Sequence, residues 1–325
     1  MARVTVVMRT FERPVLLARA IASVRHQTFT DWHLVIVNNG GAPGPVDDAV
    51  AVARTGMNAG EISVIHLPGQ VGMERASNEG LRATESDYFA IHDDDDTWNP
   101  EFLSVTVARL DADRGAAGVV TALTKVHETM KGNKVWPVRD ESFWLVPGRL
   151  TFRGMIGANT FPPVAALFRR SVLGNVGMFD ESLPVLGDWE FNLRAVRAGG
   201  FLFEPRILAR YHVRTPESDR STANSIIDGA DLHKSVRLEL QDRWLGETVD
   251  GVNKGMLSVA AQATLEIEEL RANGLHVVSE VQVDVVAVAN HTANVLQQRR
   301  MTRRIWRGLR HPGHALRALA RTLRG

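Results

Sequence analysis

The chain has 325 residues, 44% hydrophobic and 23% charged, with a formal net charge of +1, which suits one large or two ordinary soluble globular domains. It has no cysteine, so disulfides and thiolate metal sites are excluded and a reducing cytoplasm is the expected setting. The first residues run straight into a strand-like stretch, and no apolar run reaches about 18 residues, so neither a signal peptide nor a membrane-spanning helix is expected.

Val4 to Met8 is a short β-branched run, and Pro14 then opens a helix with Leu17, Ala20, Ile21 and Val24 on one face. His33 to Val37 is a second strand, ended by Asn38-Asn39-Gly40-Gly41, and Pro45 to Arg54 reads as a helix. Strands at Ile62 to Ile65, Tyr88 to His92 and Gly118 to Thr124 alternate with helices at Arg75 to Ala83 and Pro100 to Arg109. Such alternation predicts a doubly wound, mostly parallel α/β sheet with both faces covered. Residues 125–215 are less regular, with a helix from Gly187 to about Arg197 and short strands at Leu202-Phe203 and Ile207 to Tyr211. Beyond residue 222 the pattern is helical, and Leu257 to Glu269 is amphipathic. The expected organisation is therefore a domain over 1–215, a helical extension over 222–298 and a basic tail over 299–325.

Ligands of parallel sheets bind beyond the carboxyl ends of the strands. The Thr10 to Arg13 loop, Asn38-Asn39 and the cluster Asp93-Asp94-Asp95-Asp96 all fall on that edge. Four adjacent carboxylates repel one another unless something neutralises them, and oxygen-rich sites suit Mg²⁺ or Mn²⁺. Alone, the run reads sooner as a solvated acidic turn that caps the next helix, with Asp96 as its N-cap, and only the rest of the chain reverses that preference. No GxGxxG, P-loop or GxSxG pattern is present, so a dinucleotide, P-loop or serine-hydrolase reading lacks its residues. A nucleotide-sized crevice with an acidic site and a further carboxylate at Asp188 suits group transfer from a nucleoside diphosphate.

Five segments in order resemble the family-2 glycosyltransferases. They are Val4 to Pro14, Ser23 to Trp32 with Leu34 to Val37, Gly72 with Ala76-Ser77-Asn78-Glu79-Gly80-Leu81, Asp93 to Asp96 with Pro100, and Gly177 to Glu181 with Gly187 to Arg194. The resemblance spans roughly residues 3–215 and implies the GT-A fold and an inverting, metal-dependent sugar transfer. It implies that Thr10, Phe11, Glu12, Asn39, Asn78, Asp93 and Asp94 line the donor. Asp93 and Asp95 would form the DXD pair, His212 would complete a Mg²⁺ or Mn²⁺ site, and Asp188 would be the catalytic base. The donor would be a UDP- or dTDP-sugar and the acceptor a glycan or lipid-linked glycan, as in bacterial cell-surface polysaccharide synthesis. Two positions depart from the pattern: Asn38-Asn39 stands where Asp-Asp is common, and Ser77 where Arg is common, with Arg75 the expected substitute cation.

Competing readings remain for single residues. Asp188 could cap its helix, His212 could be a satisfied strand-end histidine, and Asn38-Asn39-Gly40 could be only a turn. A nucleotidyltransferase shares the sheet type but needs a glycine-rich loop after its first strand, which Arg9 to Arg13 does not provide. A non-catalytic protein of the same fold is the third reading. Residues 299–325 carry nine arginines and no acid, whereas the rest holds 29 basic and 37 acidic residues. With Ile305, Trp306 and Leu309 on one stripe, the tail is expected to meet an anionic membrane surface and no nucleic acid, placing the protein in the cytoplasm or on the inner face of the plasma membrane.

Overall fold

The computed structural model describes residues 1–56, 60–143, 150–214, 230–249, 252–265 and 267. They fall in a unit spanning Met1–Ala263, except for three residues of a second unit that begins at Thr264. The boundary near residue 222 and the basic tail lie outside the described residues.

The unit is built on a nine-stranded sheet in the order β3 (Glu61–His66), β2 (Trp32–Asn38), β1 (Val4–Thr10), β4 (Tyr88–Asp93), β8 (Ala166–Arg169), β6 (Gly118–Lys131), β9 (Phe201–Arg214) and β5 (Thr97–Trp98), with β7 (Lys134–Phe143) alongside β6. β1 (Val4–Thr10), β2 (Trp32–Asn38), β3 (Glu61–His66) and β4 (Tyr88–Asp93) are parallel to their neighbours. β1 is buried along its whole length, as a central parallel strand covered on both faces must be. Its register puts Thr10 level with Asn38 and Arg9 level with Asp93, so the expected site loops leave one edge together.

Helices α1 (Pro14–Arg25), α2 (Pro43–Arg54), α3 (Met73–Arg82) and α4 (Phe102–Ala112) follow these strands. Pro14 sits in the first turn of α1, where its missing N–H costs nothing. Leu16, Leu17 and Ile21 of that helix are fully enclosed, each contributing about 1.5–3 kcal/mol by leaving water. On α3, a Cβ at Gly80 would stand 2.5 Å from a Val7 methyl, so only glycine lets that helix lie so close to β1.

Beyond β4 the sheet becomes mixed. β8 (Ala166–Arg169) is antiparallel to β4 and β6 (Gly118–Lys131), and β5 (Thr97–Trp98) is antiparallel to β9 (Phe201–Arg214). β6 and β7 (Lys134–Phe143) form a hairpin turning at Gly132. The two short strands expected at 202–203 and 207–211 are parts of β9, which runs parallel to β6 for eleven paired positions. Their ladder shifts near Ala122, leaving Pro205, Arg206 and Leu208 without partners, as suits a proline that cannot donate to a ladder. Past the shift, Val126 faces His212 and Glu128 faces Arg214.

Short helices α5 (Phe152–Met155) and α6 (Ser171–Val176) precede α7 (Gly187–Gly199), and α8 (Ala230–Leu245) docks on α7 through Trp244 and Trp189, 5.2 Å apart edge to face. Trp189 is fully buried and donates to the Met155 carbonyl. A two-stranded ladder, β10 (Thr248–Val249) with β11 (Val252–Asn253), follows α8. No helix among the described residues is long and apolar enough to cross a membrane.

Candidate active site

Thr10 closes β1 and its hydroxyl donates to Asp94 at 2.6 Å. Phe11 is half-buried and Glu12 is exposed, with a left-handed φ of 52° that is unusual for a side chain of this size and common at functional loops. Thr10, Phe11 and Glu12 thus line one edge with the acidic cluster, as their sequence position implies.

Arginines meet the four aspartates. Arg9 contacts Asp93 at 2.5 Å, Arg13 contacts Asp94 at 2.5 Å and Asp95 at 3.2 Å, and Arg214 bonds Asp95. Arg19 donates to the Asp95 carbonyl at 2.6 Å and binds Glu128 at 2.7 and 3.1 Å. The Asp93 side chain is 26% exposed while those of Asp94 and Asp95 are 0% and 7%, so of these three Asp93 presents most surface to solvent.

Glu128 on β6, which the sequence alone did not single out, is the hub of this region. It accepts from Arg19, Arg214 and His212. Burial works to raise its pKa, yet the His212 and Arg19 hydrogen bonds hold it down to about 2. Asp95 is likewise held below the usual carboxylate range against its burial, by Arg13 and Arg214. Asp96 is fully enclosed and accepts from the His212 backbone N–H at 2.9 Å. Burial and its neighbours Asp95 and Asp93 push its carboxyl well up.

His212 was expected at the metal. Burial lowers its pKa, so its ring is neutral. Nδ1 lies 2.9 Å from a Glu128 carboxylate oxygen, which can only accept, and therefore carries the hydrogen. The remaining lone pair on Nε2 accepts from the Thr97 hydroxyl at 2.9 Å. The ring thus behaves as the satisfied strand histidine, and it does not join Asp93 and Asp95 in a ligand set. Among the described residues no three such side chains gather as metal ligands.

At the other end, Asp188 lies in the first turn of α7, where the helix dipole favours a carboxylate. The N-cap is Leu186, so Asp188 is not the cap. Asn159, another residue not foreseen, donates to Asp188 at 2.6 Å. Burial raises the Asp188 pKa, with the Asn159 hydrogen bond and Arg9 opposing and Asp93 adding to the rise. Glu74 of α3 is buried beneath this turn, and a Cβ at Gly187 would stand 2.4 Å from its carboxyl carbon. Burial pushes Glu74 up to about 7, Arg9 at 3.9 Å opposes, and Asp188 adds to the rise. Arg9 therefore links both ends of the site.

Arg9 also answers the Ser77 departure, because its Nη1 reaches the Ser77 hydroxyl at 3.4 Å. Arg75, the expected substitute, is half exposed and faces Glu79 and Glu181 instead. Two other donor expectations find different surroundings. Asn78 clamps α3 to the 179–181 segment, through Phe179 N–H and carbonyl and the Glu181 carboxylate. The Asn39 amide engages Val71 N–H at 2.9 Å and the Gly72 carbonyl at 3.5 Å, so it positions the loop before α3. Asn38 folds its amide onto Gly41, Ala42 and His66 as a turn residue does.

Residues 5–177 match the family model described as Glycosyl transferase family 2. Succinoglycan biosynthesis protein ExoW of Rhizobium meliloti is 36% identical over 119 residues, which cover 35% of this chain and 36% of ExoW. Among solved structures, Staphylococcus aureus TarS 1–349 in complex with UDP-GlcNAc has a TM-score of 0.56 at 17% identity, covering 79% of this chain and 70% of that one. The mannosyltransferase PcManGT from Pyrobaculum calidifontis, in complex with GDP-Man and Mn²⁺, has a TM-score of 0.54 at 16% identity, covering 85% and 80%.

Proposed function

Because the chain belongs to glycosyl transferase family 2 and has the GT-A fold, we propose that it moves a sugar, with inversion, from a nucleoside-diphosphate sugar to a hydroxyl of a glycan or lipid-linked glycan. It is an enzyme that transfers sugars; the inversion, the donor and the acceptor are the proposed parts. A UDP- or dTDP-sugar is the proposed donor, supported by the UDP-GlcNAc bound to TarS, and ExoW's part in succinoglycan biosynthesis supports a polysaccharide acceptor.

The observation that carries the reading is Asp188. A buried carboxyl with a raised pKa stands on the edge where β1 and β4 end, and Asn159 fixes one of its oxygens. In the proposed step the acceptor oxygen attacks the anomeric carbon as its proton passes to Asp188. The bond from that carbon to the diphosphate breaks, and its electron pair leaves on the diphosphate oxygen. Thr10, Phe11, Glu12 and Asp93 border the crevice on the donor side. Asn159 keeps the base turned in one direction, and Arg9 carries positive charge between base and Asp93.

PcManGT binds Mn²⁺, and the fold therefore raises the question of a cation here. The residues present do not fit one as arranged, since Asp95 is bonded by Arg13 and Arg214 and the His212 lone pair is taken by Thr97. No step is assigned to a metal.

A panel of nucleotide-sugars, assayed for nucleoside-diphosphate release with and without glycan and polyprenyl-linked acceptors, tests the function. One donor should respond, and faster with an acceptor. Pyrophosphate release from a nucleoside triphosphate and a sugar 1-phosphate would establish the nucleotidyltransferase reading instead. The same protein should sediment with anionic liposomes if residues 299–325 hold it at a membrane, and indifference to them at low salt would end that part.

A further inference from the structure

We propose that Arg13 and Arg214 stand where a divalent cation would, so that this transferase binds and releases its diphosphate without a metal ion. The inference rests on the glycosyltransferase reading and concerns the same edge of the sheet.

Four guanidiniums, each permanently charged, reach the acidic cluster from separate places in the chain. Arg9 belongs to β1, Arg13 to the loop after it, Arg19 to α1 and Arg214 to the end of β9. Asp95, the residue best placed by sequence for a metal, carries two of them on one oxygen, Oδ2. A dication brought to that oxygen would sit beside two fixed positive groups. Neither can be displaced cheaply. Arg214 is fully buried and also binds Glu128 at 2.9 Å, so moving it would leave two enclosed carboxylates short of a partner. Arg13 is held by Asp94 as well as Asp95. The register of β6 and β9 sets Glu128 opposite Arg214, which makes this ion pair part of the sheet rather than a chance meeting of surface side chains. His212 completes the case, because a neutral imidazole has one lone pair and here a hydroxyl uses it.

The two arginines divide the task. Arg214 has no exposed surface and locks Asp95, whereas the Arg13 side chain is 21% exposed on the same edge as Asp93. Arg13 therefore presents the planar, multiply donating charge that suits an anionic diphosphate.

The test uses the full chain, stripped of metal and checked by elemental analysis. Mn²⁺ uptake is read by the electron-paramagnetic-resonance signal of free Mn²⁺, with wild type and Asp95→Ala side by side. Affinities for UDP, dTDP and GDP are then measured by calorimetry in EDTA and in excess Mn²⁺. Wild type should take up no more Mn²⁺ than Asp95→Ala. The nucleotide it binds should bind within about threefold as well in EDTA as in Mn²⁺, and Arg13→Ala should weaken that binding at least tenfold in EDTA. One equivalent of Mn²⁺ held by wild type and released by Asp95→Ala would overturn the proposal. So would a tenfold or larger rise in nucleotide affinity with Mn²⁺. If no nucleotide binds in either medium, the donor reading falls, while Mn²⁺ uptake still decides the present inference.

Discussion

Asp95 and Glu128 at one end of the site, and Asp188 and Glu74 at the other, are the same kind of side chain in opposite states. Asp95 and Glu128 meet Arg13, Arg19 and Arg214 and are held below the ordinary carboxylate range despite deep burial, while burial pushes up their neighbours Asp94, to about 6, and Asp96. Around Asp188 and Glu74, burial meets little compensation beyond a shared Arg9 and one amide, and both carboxyls are pushed up. Burial alone therefore does not fix protonation; it is weighed against the cations and the other carboxylates within reach of each group. The difference matches the chemistry proposed, with a permanently charged end to face a diphosphate and a proton-accepting end to face a hydroxyl.

The sharpest way to break this comparison is Asp188→Asn. Turnover should fall about 10²-fold to 10⁴-fold, the scale of a lost general base, while nucleoside-diphosphate affinity changes little. Diphosphate release and calorimetry measure the two separately, and unchanged turnover would remove Asp188 from the chemistry. In wild type, the base acts when ionised and its pKa lies above the usual Asp range. The rate should accordingly begin to fall, on acidification, at a higher pH than an ordinary aspartate would give.

Glu128→Gln probes the charged end. It leaves Arg19 and Arg214 undercompensated and should destabilise the fold by about 3 kcal/mol at pH 7, read from urea unfolding. A carboxyl whose folded pKa is depressed to about 2 contributes stability above its unfolded value. The gap between the two proteins should hence be full at neutral pH and close as pH falls from about 4.5 towards 2. A gap independent of pH would mean that the charge is not its cause.

Glu74→Gln should act in the reverse sense. With a folded pKa near 7, Glu74 favours the native state while protonated and loses that advantage as pH rises from about 4.5 through 7. The variant should match wild type at pH 5 and exceed it at pH 8 by on the order of 2 kcal/mol. Equal stability at both pH values would place Glu74 among ordinary, well-compensated carboxylates.

The charged end was half legible in the sequence and the proton-accepting end less so. Asp93 to Asp96, Thr10 and Asp188 announce themselves through local pattern, because strand ends and helix starts bring them to one edge. The first four strands and their helices were equally plain, since buried parallel strands read as continuous apolar runs. Glu128, Arg19 and Asn159 carry no local signal. Glu128 lies on a strand that alternates polar and apolar residues, and only pairing with β9 shows that this acid is enclosed. The β6–β7 hairpin escaped for the same reason, although Lys131-Gly132-Asn133-Lys134 is a turn signal between the two strands. Arg9 was hidden by its position within β1, and its contact with Ser77 depends on the crossing of α3 over the sheet.

The unpaired residues of β9 carry a consequence for chain length. Side chains along a strand have parity, odd to one face and even to the other. Pro205, Arg206 and Leu208 are three residues for which β6 offers no counterparts, an odd number. With one residue more between Glu204 and Ala209, and the same number left unpaired, Val213 and not Arg214 would count off against Glu128, and a valine would stand where the guanidinium closes the acidic cluster. The charge balance of the candidate site is thus set partly by a tally of residues on the far stretch of β9, and a single-residue insertion there would undo it while leaving every site side chain in the sequence intact.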